Sequence, residues 1–257
     1  MTRIHPSAVV DPGATLGADA EIGPYCVIGP NVTVGARTCL MSHVVLDGRT
    51  TLGAECRVFP FASIGTQTQD LKYSGGKTYV SIGDRTTIRE YVTVNSGTKE
   101  GEVTRVGSNC HIMAYAHVAH GCEVSDGVIM ANCASLSGEV VVEDQAVIGG
   151  MSGVHQFVHI GRMSMIGGLT KITQDVLPFM LVDGNPSEVR GLNAVGLKRR
   201  NVSEEAQHQL KQAYRLLYRE GLSTAQAVER IRAEVVPCPE IEHLIAFIGK
   251  SERGIIK

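Results

Sequence analysis

From Ile4 an aliphatic side chain returns at every sixth position: Val10, Leu16, Ile22, Ile28, Val34, Leu40, Leu46, Leu52, Val58 and Ile64. The phase resumes at Ile82, Ile88 and Val94, and runs again from Val106 through Ile112, Val118 and onward to Ile172. Two positions before most of these stands a small residue, as in Ala8, Ala14, Ala20, Cys26, Ala62, Cys110, Ala116, Ala134 and Ser152. A period of six matches neither the 3.6 of an α-helix nor the two of a simple strand. It matches a short strand plus a turn, repeated so that three units close a triangular coil of about 18 residues. In such a coil the aliphatic fills the prism, the small residue fits near a corner, and the glycines that often follow, such as Gly17, Gly35 and Gly53, relieve steric limits at the turns. Successive coils then pair as parallel strands about 4.8 Å apart.

Asp70, Gly76 and Glu100 alone break the phase, each inside a polar stretch. They mark two loops that leave the prism, Thr66 to Thr78 and Asn95 to Thr104, and loops on a rigid scaffold are favoured places for binding groups. After Asp183-Gly184-Asn185-Pro186 the period changes to a helical one. Ser203 is placed to cap a helix carrying Leu210, Ala213, Tyr214, Leu217 and Tyr218, ended by Gly221. Ser223 and Gln226 form a second capping signature ahead of Ala227, Ile231 and Val235. Ile241, Leu244, Ile245 and Ile248 suggest a last helix. The expected organisation is an all-β domain over residues 1–185, a parallel β-helix of hexapeptide repeats, and a C-terminal α-helical domain over 186–257 that covers the open end of the solenoid.

Composition agrees with a thin, regular fold: Trp is absent, Phe and Tyr number 5 and 7, and Gly reaches 29 among 257 residues. A net charge of -2 disfavours nucleic acid as a partner. No apolar run reaches signal-peptide or membrane-spanning length, so the chain is read as soluble and cytoplasmic, without a transmembrane segment. Seven cysteines lack metal-site spacing, and Cys26, Cys56, Cys110 and Cys122 share the small-residue phase, which makes them buried spacers.

Candidate chemistry gathers in the histidines, of which five of nine lie between His111 and His159. Comparing positions coil by coil puts His120, Gly138 and Gln156 in one column, Gly121, Glu139 and Phe157 in the next, and His155 in the column of Ala119 and Ser137. A general base and a carboxylate partner thereby share one edge of the prism. Packing between subunits is the bland alternative for the same histidines. His5, His43, His208 and His243 look unexceptional. The run Leu197-Lys198-Arg199-Arg200, at the domain junction, suits an anion such as a diphosphate as well as it suits a solvated face. A lone prism offers little concavity, whereas three side by side make deep clefts, so a homotrimer is expected.

Several segments are more specific: Gln69-Asp70-Leu71-Lys72-Tyr73, Ile88-Arg89-Glu90, His117-Val118-Ala119-His120, Val154-His155-Gln156-Phe157 and Gly196-Leu197-Lys198-Arg199-Arg200. In these, and over essentially its whole length, the chain resembles the acyl-carrier-protein:UDP-N-acetylglucosamine O-acyltransferase family, within the hexapeptide-repeat acyltransferases. The resemblance implies a left-handed coil. It implies transfer of a 3-hydroxyacyl group from acyl-carrier protein to the 3-hydroxyl of UDP-N-acetylglucosamine in lipid A biosynthesis, with no cofactor. It makes His120 the general base and the Gly138 backbone N–H an oxyanion donor. Asp70 and Lys72 become substrate-binding residues on the neighbouring subunit's loop, His117, His155 and Gln156 line the same cleft, Asn193 and Arg200 become nucleotide contacts, and Gly168 the floor of the acyl pocket.

The chain departs from the family's pattern in three places. Gly121 stands where the family has Asp after the base, Glu139 where it has His, and Val195 where it has Glu. Glu139 is therefore a candidate to supply the missing carboxylate from the next coil. These changes leave N-acylation of the 3-amino analogue of the sugar nucleotide open as a second reading. A noncatalytic UDP-sugar-binding trimer is a third. A zinc-dependent carbonic anhydrase of similar fold, drawing ligands from His111, His117, His120 and His155, is disfavoured by their spacing.

Overall fold

A computed structural model describes all 257 residues. Residues 3–182 wind as a left-handed parallel β-helix, each coil giving one strand, usually of two residues, to each of three sheets. The first sheet begins with Arg3–Ile4, the second with Val9–Val10 and the third with Thr15–Leu16. Partners in adjacent coils are 18 residues apart, as in Arg37 and Glu55, and the offset grows to 30 and 24 where the two loops are inserted. The hexapeptide aliphatics from Ile22 to Ile172 point inward and form one continuous core. At the N-terminal end Ile4 is exposed, and Val9, like its partner Val27, stands at an outward-facing strand position.

The glycines after the aliphatics have a different role from the one expected. Gly17, Gly35, Gly53 and Gly83 do not adopt positive φ. A Cβ on Gly35 would lie 2.6 Å from the Ala54 amide nitrogen, and one on Gly83 would lie 2.6 Å from the Gly107 carbonyl carbon. Close approach between stacked coils, not backbone freedom, requires glycine there. The left-handed corner positions are instead held by side-chain-bearing residues. At the corner between the first and second sheets these are Tyr25, His43, Phe61, Tyr91 and Tyr115, all with φ between 58° and 64°. Non-glycine residues avoid this region. Here the rings stack in a ladder with centroids 4.8 to 5.0 Å apart, so the coil spacing and the preferred ring spacing coincide. His43, unremarkable in the sequence, is one rung.

The last strand of the first sheet, Met180–Asp183, turns back antiparallel as Glu188–Leu192, so the expected boundary at 185/186 falls in the turn of a hairpin. Four helices follow: α1 (Ala194–Arg199), α2 (Glu204–Tyr218), α3 (Thr224–Glu234) and α4 (Pro239–Lys250). Ser203 caps α2, and Ser223 with Gln226 forms a complete capping box on α3. The basic run lies within and just after α1, a short helix that its sequence pattern does not announce. Leu210, Leu217, Ile231 and Leu244 pack on Leu177, Phe179 and Met180, sealing the end of the prism. Polar contacts also fasten this cap to the coils. His243 Nε2 lies 2.8 Å from Glu143 Oε2, and Ser251 Oγ donates to the buried Asp175 at 2.6 Å. No helix is long and apolar enough to cross a membrane.

Candidate functional site

Both inserted loops leave the prism at one corner, between the second and third sheets, and this corner also carries His120 in the turn after His117–Val118. The loops are tied together. Asn95 Nδ2 donates to Thr66 Oγ1 at 3.2 Å and to the Gln67 carbonyl at 3.1 Å, and the hydroxyls of Thr68 and Thr98 share a hydrogen bond of 3.2 Å. The first loop places Asp70 Oδ2 3.6 Å from His120 Nε2. Asp70 is itself held, since its amide donates to Thr68 Oγ1 and its Oδ1 accepts from the Lys72 amide at 2.9 Å. The Lys72 side chain is exposed to solvent.

The second loop contributes Glu102, whose side chain is only 12 % exposed and whose Oε2 lies 3.9 Å from His120 Nδ1. The same oxygen accepts from the backbone amides of Thr98 and Lys99. His120 Nδ1 is buried and makes no hydrogen bond, so the ring is enclosed between two carboxylates without being committed to either.

One coil along, Gly138 lies directly against the imidazole: a Cβ there would overlap Cε1 and Nε2 of His120. Its carbonyl accepts from the Phe157 amide, while its own N–H makes no bond within the chain and stays available as a donor. Glu139 is paired with Lys99, Oε1 to Nζ at 2.8 Å. Gly121 has φ of 65°, and a Cβ on it would lie 3.2 Å from Oε1 of Glu102 and from the carboxylate of Glu139. Both carboxylates thus border the space that a side chain at 121 would use. Glu102, His120 and Glu139 bring one ligand atom each within 4.8 Å of one another, a mixed carboxylate and imidazole set rather than the three histidines of a carbonic anhydrase site. The ammonium of Lys99 already serves one of these carboxylates.

His117 is directed to Thr93, Nδ1 to Oγ1 at 2.7 Å, and burial, then the nearby His120, holds its pKa below the ordinary histidine range. His155 and Gln156 are exposed one coil beyond Ser137 and Gly138, as the column argument expects. The remaining predicted residues stand elsewhere. Gly168 is exposed at the corner between the first and second sheets, stacked on Gly150 and beside Leu169. At the corner between the third and first sheets, Arg200 lines a cleft with Asn109, Asp126, Asp144 and Arg162. Near it Asn193 uses its side chain to cap α1 and to donate to the Met163 carbonyl at 2.9 Å. Arg199 points into solvent beside Arg200. One prism therefore displays the predicted residues on three different edges. Lys99 and Glu102 escape sequence reasoning. Their loop is recognisable as an insertion, but only its folding back shows which of its charged residues face His120.

Residues 175–256 match a family described as Udp N-acetylglucosamine O-acyltransferase, domain 2, and residues 1–36 and 104–138 match bacterial transferase hexapeptide repeats. The chain is 46% identical over 262 residues to an acyl-[acyl-carrier-protein]–UDP-N-acetylglucosamine O-acyltransferase from Verminephrobacter eiseniae, with both chains covered in full. A protein of the same description from Alkalilimnicola ehrlichii is 48% identical, again over 100% of both chains. Among solved structures, a UDP-N-acetylglucosamine acyltransferase from Bacteroides fragilis superposes with a TM-score of 0.97 at 38% identity, covering 99% of this chain and 100% of that one.

Proposed function

The chain belongs to the acyl-[acyl-carrier-protein]–UDP-N-acetylglucosamine O-acyltransferase family, and on that premise we propose that it moves a 3-hydroxyacyl group from acyl-carrier protein to the 3-hydroxyl of UDP-N-acetylglucosamine, the first step of lipid A synthesis. The observation that carries the mechanism is the environment of His120: a ring set against Gly138, whose N–H is unbonded, with Nε2 facing Asp70 and Nδ1 buried without a partner. His120 takes the proton of the attacking hydroxyl at Nε2 as the sugar oxygen bonds to the thioester carbon. The Gly138 N–H receives the carbonyl oxygen as it becomes anionic. Collapse of the tetrahedral intermediate breaks the C–S bond, and the proton held by His120 passes to the departing thiolate. Asp70 accepts from a sugar hydroxyl, while His155 and Gln156 extend the binding edge.

The same proposal makes the enzyme a cytoplasmic homotrimer. His120, Gly168 and Arg200 lie on different edges of one prism, so a single substrate reaches all three only in a cleft between two copies. In that cleft Arg200 binds the diphosphate with Arg199 and the α1 region near Asn193 beside it, Lys72 reaches the sugar, and Gly168 leaves room for the far end of the acyl chain.

A second reading, N-acylation of the 3-amino analogue, is favoured by one feature. Asp70, Glu102 and Glu139 surround His120 with only Lys99 to balance them, a field that attracts a protonated amine. Product mass after incubation with matched 3-hydroxyacyl carrier-protein thioesters and either acceptor decides between them. Ester product establishes O-acylation, and amide product alone establishes N-acylation. Binding of the sugar nucleotide without turnover, unchanged in H120A, favours a noncatalytic role.

A further inference from the structure

We infer that Glu102, reaching over from the second inserted loop, is the residue that positions His120, accepting a hydrogen bond from Nδ1–H so that Nε2 is presented unprotonated to the acceptor; this rests on the reading of His120 as the general base. Three observations converge on it. His120 Nδ1 is buried and unpartnered, and an imidazole that works through Nε2 must carry its proton on Nδ1. A buried N–H without an acceptor is costly, and the carboxylate group facing Nδ1 is that of Glu102, 3.9 Å away, a gap that a small rotation of either side chain closes to a hydrogen bond. Finally, Gly121 leaves the space beside the imidazole open, and Glu102 occupies its border, 3.2 Å from where a Cβ would be.

Glu139 borders the same space but is engaged differently. Its Oε1 is bound by Lys99 Nζ, on a flexible and 74% exposed side chain. Glu102 is fixed by two backbone amides and largely shielded from water, the properties that make a carboxylate effective at selecting a tautomer and holding a ring. The positioning group thus comes from an insertion outside the repeat rather than from the residue after the base.

The substitution Glu102→Gln keeps a carbonyl oxygen for the Thr98 and Lys99 amides while removing the charge and offering Nδ1 a donor. It is expected to lower kcat about 10- to 100-fold with KM for both substrates within about twofold. Gly121→Asp is expected to restore turnover to Glu102→Ala, since the truncation removes one of the two carboxylates bordering the space and Asp tolerates a positive φ. Wild-type kinetics in Glu102→Gln alongside an inactive His120→Ala would overturn the assignment while leaving the base in place. So would a loss that falls on KM rather than kcat, the same kcat loss found in Glu139→Gln in its stead, or the absence of rescue. Retained activity in His120→Ala would instead overturn the reading of the base on which the assignment stands.

Discussion

At the scale of single residues, the site is organised around missing side chains. Gly138 does not have positive φ, so an alanine there meets no backbone strain; what it meets is the His120 ring. Gly138→Ala is therefore expected to displace the imidazole by about an ångström and lower kcat about 100-fold or more, with the thermal midpoint of the folded protein changed little. A fall in stability comparable to the fall in rate would mean that the glycine serves the coil instead. Gly168 is a second such position, with the nearest atom to an added Cβ being the Gly150 carbonyl oxygen at 3.3 Å. Gly168→Met needs the Gly150 backbone to give by a few tenths of an ångström and is expected to shift preference toward shorter acyl chains; an unchanged chain-length profile would remove Gly168 from the pocket. The column argument from the sequence placed His120 next to Gly138, with Gln156 one coil beyond, because in a coil of fixed length neighbours follow from counting. It had no means of showing that Glu102 faces Nδ1, since loop residues have no column.

At the scale of elements, the helical cap is held to the prism by an apolar layer and by a few polar contacts, of which Glu143 with His243 is the most telling. Burial pushes the Glu143 carboxyl up, but the His243 hydrogen bond, then the Arg162 amide and the positive charge of both residues, outweigh it and hold its pKa below the ordinary 4.5. A depressed native pKa means that the unfolded chain binds the proton more tightly, so this contribution is complete above about pH 4.5 and is lost as pH falls through the lower native value. Glu143→Gln is expected to cost about 1–2 kcal/mol at neutral pH, allowing for partial exposure of both side chains, and to flatten the acid dependence of stability below pH 4.5. Denaturant unfolding of the two proteins at pH 7 and pH 4 checks both parts. The helices themselves were legible, since Ser203 and the Ser223 and Gln226 pair cap as their spacing implies. The short α1 was not: six residues carrying glycine offer no periodic face, and it forms because Asn193 caps it while Leu197 is buried under the cap.

At the scale of the whole molecule, the three edges of the prism each carry part of the candidate site: His120 and the loops on one, Gly168 and the ring ladder on another, Arg200 on the third. If the cleft is shared between copies, subunits defective in different halves complement one another. Random trimers assembled from equal amounts of His120→Ala and Arg200→Ala chains are expected to recover about a quarter of wild-type activity, the chance that two intact halves meet. Recovery at the level of either variant alone would place the complete site within one chain.

The sequence by itself determined the coil, the six-residue phase, the two insertions, the helical cap and the column that joins His120 to Gly138. These follow from covalent spacing and from the need to bury one aliphatic per hexapeptide. Only the tertiary structure decided how the insertions fold back, which carboxylate faces His120 Nδ1, that Lys99 engages Glu139, and that His243 fastens the cap. These are contacts between segments whose separation along the chain obeys no period, so their partners are chosen by packing and electrostatics in three dimensions.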